Sequence, residues 1–143
     1  MSLNINHQKI KLFAAEQGIK FLILFGSQAK KHITENSDFD IAILTANGKG
    51  LEKLESYTNI LFNLSEILCI PDHKIDLTNL DKADPLLRHE IVLNGLLIYG
   101  NDTEYAAFKT FVLRDYIETE NLRLLEKKLI LKRQKLLEKI IYA

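Results

Sequence analysis

Phe21-Leu22-Ile23-Leu24-Phe25-Gly26-Ser27, followed after a polar connection by Ser37-Asp38-Phe39-Asp40-Ile41-Ala42-Ile43-Leu44, decides how this chain folds. The first run is continuously apolar and long enough only for a buried strand. The second alternates. Side chains point to opposite faces along a strand, so Asp38 and Asp40 share one face while Phe39 and Ile41 take the other. Two neighbouring carboxylates repel unless something positive stands between them. A divalent metal carrying a phosphate chain suits them, because hard oxygen ligands suit Mg²⁺. The Gly26-Ser27 turn offers backbone N–H groups and a hydroxyl to the same phosphates.

Outward from this pair, the chain alternates helices and strands. Residues about 5–17 read as a helix with Ile10, Phe13 and Ala14 inward and Gly18 at the C-cap. Leu51, Leu54, Tyr57, Leu61, Leu64 and Leu68 recur at steps of three and four, giving an amphipathic helix over about 50–68 that Pro71 ends. Lys74-Ile75-Asp76-Leu77-Thr78 alternates as a third strand, with Asp76 opposite in facing to Ile75 and Leu77. Asp84-Pro85 opens a further helix that closes at Asn94-Gly95, and Leu96-Leu97-Ile98-Tyr99 is a short fourth strand.

From about 102 to 140 there is neither Pro nor Gly, and Asn101 with Glu104 resembles a capping box. The spacing predicts a long helix, with a break expected near Thr119–Asn121. Unbroken, it would reach about 60 Å, so part of it folds back or overhangs the body. An overhanging apolar stripe needs a partner. The expected fold is α/β (α+β): a small mixed sheet, helices on one face and a long C-terminal helix. Residues 1–101 form the expected catalytic domain, and 102–143 a helical extension packing on it and on a partner.

The 143 residues suffice for one domain, and 47% apolar with 27% charged residues is the composition of a globular protein. No apolar run approaches the roughly 20 residues that span a bilayer, so no membrane partner is expected. No secretory signal is visible at the N-terminus, and a single cysteine, Cys69, forms no internal disulfide; the default setting is cytoplasmic. Cys69 stands in an apolar stretch and is expected as a small buried hydrophobe. His73 and His89 have no metal-ligand spacing with a second His or Cys and read as structural or surface residues.

The net charge of zero hides an asymmetry. Residues 121–143 carry seven basic and two acidic side chains, +5, while the first 120 carry 12 basic and 17 acidic, −5. The tail is either a solvated helix face or a docking surface for an acidic partner or nucleic acid.

Three acids fall on strands: Asp38, Asp40 and Asp76. If the second and third strands pair, the three converge, two binding metal and the third also able to accept a proton from an attacking hydroxyl. Ser27 also suits the N-cap of a short helix from Gln28, a role compatible with anion contact. Lys30 is a candidate for the phosphate chain; Lys31 and His32 are weaker ones.

Gly26-Ser27, then Ser37-Asp38-Phe39-Asp40, then Asp76 on a later strand resembles the signature of the DNA polymerase β-like nucleotidyltransferase superfamily. The small size, with Asp84-Pro85-Leu86 and Asn94-Gly95-Leu96-Leu97-Ile98-Tyr99, resembles its minimal nucleotidyltransferase (MNT) branch, the antitoxin partners of HEPN-domain toxins. The likeness covers residues of about 8–118. It implies that Gly26 and Ser27 contact a triphosphate, that Asp38 and Asp40 ligate two Mg²⁺ ions, and that Asp76 ligates one ion and serves as general base. It implies ATP as substrate and AMP transfer to a hydroxyl, a tyrosine of the cognate HEPN toxin. Direct nucleic-acid binding is not expected; a homo- or hetero-oligomer is compatible. The family's loop usually reads Gly-Ser-Arg-Ala-Arg-Gly, and here it reads Gly26-Ser27-Gln28-Ala29-Lys30-Lys31. Lysine keeps the charge but loses the guanidinium's fork geometry. Two alternatives stand beside this enzyme: a module that neutralises a toxin by docking alone, and a nucleotidyltransferase acting on a small molecule.

Overall fold

The apolar strand sits at the centre of the sheet. The computed structural model describes residues 5–26, 38–49 and 51–142. It contains α1 (His7–Gln17), β1 (Ile19–Phe25), β2 (Phe39–Thr45), α2 (Leu54–Leu68), a 3₁₀ turn (Asp72–Lys74), β3 (Ile75–Asn79), α3 (Pro85–Asn94), β4 (Leu96–Tyr99) and α4 (Asp102–Ile141). The strand order is β3-β2-β1-β4. β1 runs antiparallel to both neighbours, with Ile23 opposite Ala42 and Leu97. β2 and β3 are parallel, and α2 supplies the crossover that a parallel pair requires.

Helices cover both faces of this sheet, not the one face expected. Leu22, Leu24, Ile41, Ile43, Ile75 and Leu77 pack with Ile10 and Phe13 of α1 and Ile60 and Leu64 of α2. Phe21, Ile23 and Ala42 pack on the other side with Ile91 and Val92 of α3 and Tyr105 and Val112 of α4. This explains the unbroken apolar run of β1. A central strand covered on both sides has no polar face, and Phe21, Leu22 and Ile23 are all fully buried.

The caps follow the sequence. The Asn6 side chain accepts a hydrogen bond from the Lys9 N–H, and Gly18 closes α1 at φ +67°, in the left-handed region. Asp84 accepts from the Leu87 N–H at 2.8 Å with Pro85 in the first turn, and Asn101 accepts from the Glu104 N–H at 3.0 Å. The guanidinium of Arg88 donates to the carbonyls of Leu80 and Asp81, while Asp81 Oδ2 accepts from both the N–H and hydroxyl of Thr45. This clamp fixes the β3–α3 connection to the C-terminal end of β2.

Two further expectations are corrected. Cys69 is exposed, not buried: it is the C-cap of α2 at φ +55°, where the chain turns out of the helix. The helix therefore stops before Pro71. The break expected at Thr119–Asn121 is absent, and α4 is one helix of 40 residues. Neither Pro nor Gly interrupts it, and the Thr119 hydroxyl bonds back to the Asp115 carbonyl while accepting from Arg123 Nη1.

The inner half of α4 is fastened to the body. The ring of Phe21 meets Tyr105 and Phe108 at centroid distances of 5.3 and 5.5 Å. His89 of α3 stacks on Tyr116 at 4.0 Å, and Arg123 covers the other face of that stack's tyrosine at 4.1 Å. Beyond Arg123 every described side chain of the helix is exposed. No helix among the described residues is long and apolar enough to cross a membrane.

Candidate active site

The parallel register of β2 and β3 sets Asp40 directly opposite Asp76, and the antiparallel register of β1 and β2 sets Asp40 opposite Phe25. Adjacent strands lie about 4.8 Å apart, so the two carboxylates start from neighbouring backbones. Because Ile41 and Leu77 face α1 and α2, the alternation puts Asp40 and Asp76 on the other face, the one that α3 and α4 cover. Asp38, exposed, lies one residue before β2 on the same side as Asp40. The three acids thus meet at one corner of the sheet: the start of β2, the start of β3 and the end of β1.

Gly26 closes that corner. Its φ of +77° lies in the left-handed region, and a Cβ built on it would collide with Asp40 Oδ2. The glycine is therefore needed twice, for its backbone conformation and for the close approach of a carboxylate.

Burial pushes the Asp40 carboxyl above its ordinary value, and the charges of Asp76 and then Asp38 push it the same way. The donor set fits a hard divalent cation: three carboxylates, all oxygen ligands, one of them destabilised in its charged form by the others. Among the described residues, no three His, Cys, Asp or Glu side chains are already drawn around one point closely enough to hold a metal ion. The exposed side chains of Asp38 and Asp76 would have to rotate inward around such an ion. Ser27, Gln28, Lys30, Lys31 and His32 lie outside the described residues.

A cavity of about 700 Å³, lined by His7, Lys11, Lys20, Tyr99, Asn101 and Glu104 among others, opens elsewhere. It lies by Ile19 and Ala46, at the opposite end of β1 from the Phe25–Asp40 pair, and takes no part in the acidic corner. His89, expected as a structural or surface residue, stacks on Tyr116, which stands 27 positions later on another helix. No local signal links the two.

Residues 8–104 match the family model described as Polymerase beta, Nucleotidyltransferase. A protein adenylyltransferase MntA from Aphanizomenon flos-aquae is 30% identical over 109 residues, which cover 73% of this chain and 73% of that protein. One chain of a toxin-antitoxin crystal structure with AMP-PNP superposes with a TM-score of 0.70 at 22% identity, covering 89% of this chain and 99% of the other. A chain from the complex of a tri-AMPylated Shewanella oneidensis HEPN toxin with MNT antitoxin gives a TM-score of 0.63 at 21% identity, covering 88% and 96%. At such identities the two structures speak to the fold: the same small mixed sheet with flanking helices and a long terminal helix.

Proposed function

The chain belongs to the polymerase beta nucleotidyltransferase family, and from that premise we propose that it is an antitoxin that transfers AMP from ATP to a tyrosine hydroxyl of a HEPN-type toxin. What supports AMP as the group transferred is the adenylyltransferase relative; what supports a toxin as acceptor is the complex of an AMPylated HEPN toxin with its MNT antitoxin. The observation that carries the reading is the Asp40–Asp76 register pair beside Gly26, an acidic corner whose half-buried member, Asp40, resists ionisation alone.

In this reading Asp38 and Asp40 would hold two Mg²⁺ ions and Asp76 one of them, and the ions would supply positive charge to the phosphate chain. Gly26 and Ser27 receive the triphosphate on backbone N–H groups and a hydroxyl, and Lys30 adds a positive charge to the same chain. Asp76, exposed at the rim, takes the proton of the acceptor hydroxyl. The hydroxyl oxygen forms a bond to the α-phosphorus, the bond from that phosphorus to the α–β bridging oxygen breaks, and pyrophosphate leaves. Residues 1–101 carry this chemistry, and 102–143 bring the acceptor. The protein works in the cytoplasm, where ATP and a toxin's targets are found.

The test is incubation with ATP labelled in the adenine, Mg²⁺ and the HEPN-type toxin encoded in the same genome. Label on a toxin tyrosine, absent with Asp40→Asn, is expected. Label on neither protein overturns the reading. Label on a small hydroxyl compound alone replaces the acceptor.

A further inference from the structure

The outer half of α4, from Leu124 to Ile141, projects about 27 Å past the body, and every one of its side chains is exposed among the described residues. Its inward row explains why it does not fold back. Tyr105, Val112 and Thr119 recur every seven residues on the side that faces the body, and the same row continues as Glu126 and Arg133. Packing on the protein's own core thus ends where that row turns charged. The apolar residues of the outer half are nevertheless many. Leu124, Leu125, Leu129 and Leu136 are each half or more exposed, the last at 61%.

Around two of them the helix makes a bracketed hollow. Leu129 and Leu136, seven residues and two turns apart, lie on one face, and Lys132, Arg133, Lys135 and Lys139 line the same hollow of about 450 Å³. No salt bridge among the described residues engages these four cations. We propose that this face is a docking helix for an acidic amphipathic helix on the acceptor protein, whose apolar side chains seat between Leu129 and Leu136 while its carboxylates meet the four cations. The inference rests on the reading that the acceptor is a protein.

Charge selects the occupant. Residues 121–143 carry +5, so pairing this face with a second copy of itself would set four cations against four more. A nucleic-acid strand would satisfy the cations but leave the leucines in water. A helix with apolar residues on one edge and Asp or Glu beside them satisfies both. The placement also has a consequence for the reaction. The inner half of α4 is bolted to the sheet face that carries Asp40 and Asp76, and neither glycine nor proline separates the halves of this one continuous helix. A partner seated on the outer half is therefore held at a fixed position relative to the acids, raising the effective concentration of its hydroxyl.

The experiment compares full-length protein with two variants, Lys132→Glu/Lys135→Glu/Lys139→Glu and Leu129→Gln/Leu136→Gln. Affinity for the HEPN-type toxin is measured by calorimetry at 50 and 500 mM NaCl, and binding of Mg²⁺-ATP serves as the control for an intact fold. Each variant is expected to weaken toxin binding by about tenfold or more and to raise KM for the toxin with kcat little changed, while ATP binding stays the same. Wild-type affinity should fall with salt, and the lysine variant should lose most of that dependence. Toxin binding unchanged in both variants overturns the proposal. So does a wild-type homodimer that the leucine variant makes monomeric without touching toxin affinity, or a single-stranded RNA that displaces the toxin from this helix. Normal AMP transfer by both variants sinks the docking face and leaves the enzyme reading standing. Intact docking without AMP transfer does the reverse.

Discussion

Asp40 stands opposite Asp76 across the parallel β2–β3 pair, and the two like charges share a face, with Gly26 packed close against Asp40. A fold gains nothing from that arrangement in the absence of a cation, since like charges directly opposite destabilise a strand pair. On the proposed function, the corner is a place where stability is given up for chemistry.

Replacing Asp40 with Asn is therefore expected to separate the two. Activity should fall by about a thousandfold, roughly 4 kcal/mol of transition-state stabilisation. In EDTA at neutral pH the variant should be as stable as the wild type or more so. The check is AMP-transfer kinetics beside urea denaturation of the same two preparations; equal losses in both would mean that Asp40 is chiefly structural.

The pH dependence has a definite sign. The Asp40 carboxyl is raised in the folded state, by burial first and then by Asp76 and Asp38, so the folded protein holds its proton more tightly than the unfolded chain does. Its contribution to stability is fully present below the ordinary carboxylate value of 3.8 and is lost as pH rises through the raised folded value. In EDTA, Tm of the wild type relative to Asp40→Asn should decline with rising pH across that window. Mg²⁺ should restore Tm at neutral pH in the wild type and much less in the variant. A flat difference curve would mean that the neighbouring charges are not felt.

Gly26 gives a steric test. Alanine there must adopt φ near +77° and place its methyl on Asp40 Oδ2. We expect Gly26→Ala to destabilise by about 1–3 kcal/mol and to lower AMP transfer, because the carboxylate must move. Denaturation midpoints and Mg²⁺-ATP titration measure the two parts.

Much of this was legible before any coordinates. The apolar run of β1, the alternation of β2 and β3 and the residues at the caps of α1, α3 and α4 each follow from local rules, and the acids' common face follows from period two. What local rules miss is who covers what. The run of β1 pointed to burial and the expected cover was on one face; α3 and α4 reach its second face through contacts such as Phe21–Tyr105, 84 residues apart. Cys69 looked buried by composition, but a helix C-cap in the left-handed region points its residue outward. The His89–Tyr116–Arg123 stack was invisible for the same reason: its members are distant in sequence and unremarkable singly. The leucines of the outer α4 had helical spacing, and spacing alone does not distinguish a core from an interface.

Arg88 supplies a contrast at the other end of the sheet. Its guanidinium holds the carbonyls of Leu80 and Asp81, and Asp81 in turn holds Thr45, the last residue of β2, five residues from Asp40. Arg88→Met should cost about 1–3 kcal/mol by leaving those carbonyls unpaired, while kcat of the folded fraction stays near the wild-type value. A kcat loss as large as that of Asp40→Asn would tie the clamp to the acidic corner.

The two halves of α4 should respond oppositely to the same kind of truncation. Val112 is fully buried in the cluster with Phe21, Ile91 and Tyr105, so Val112→Ala removes packed methyls and leaves a void. About 1–3 kcal/mol is expected, from the transfer of the lost carbons plus the cavity. Leu136 removes more carbon when cut to Ala, yet its side chain already lies in water, so the isolated protein should lose less than about 0.5 kcal/mol. With the toxin bound, the order should invert. Leu136→Ala should then weaken the complex while Val112→Ala leaves its affinity near wild type below the melting range. Calorimetry of the free proteins and of the complexes decides it. A stability loss at Leu136 in the free protein would show that the outer helix is covered by its own chain or by a second copy.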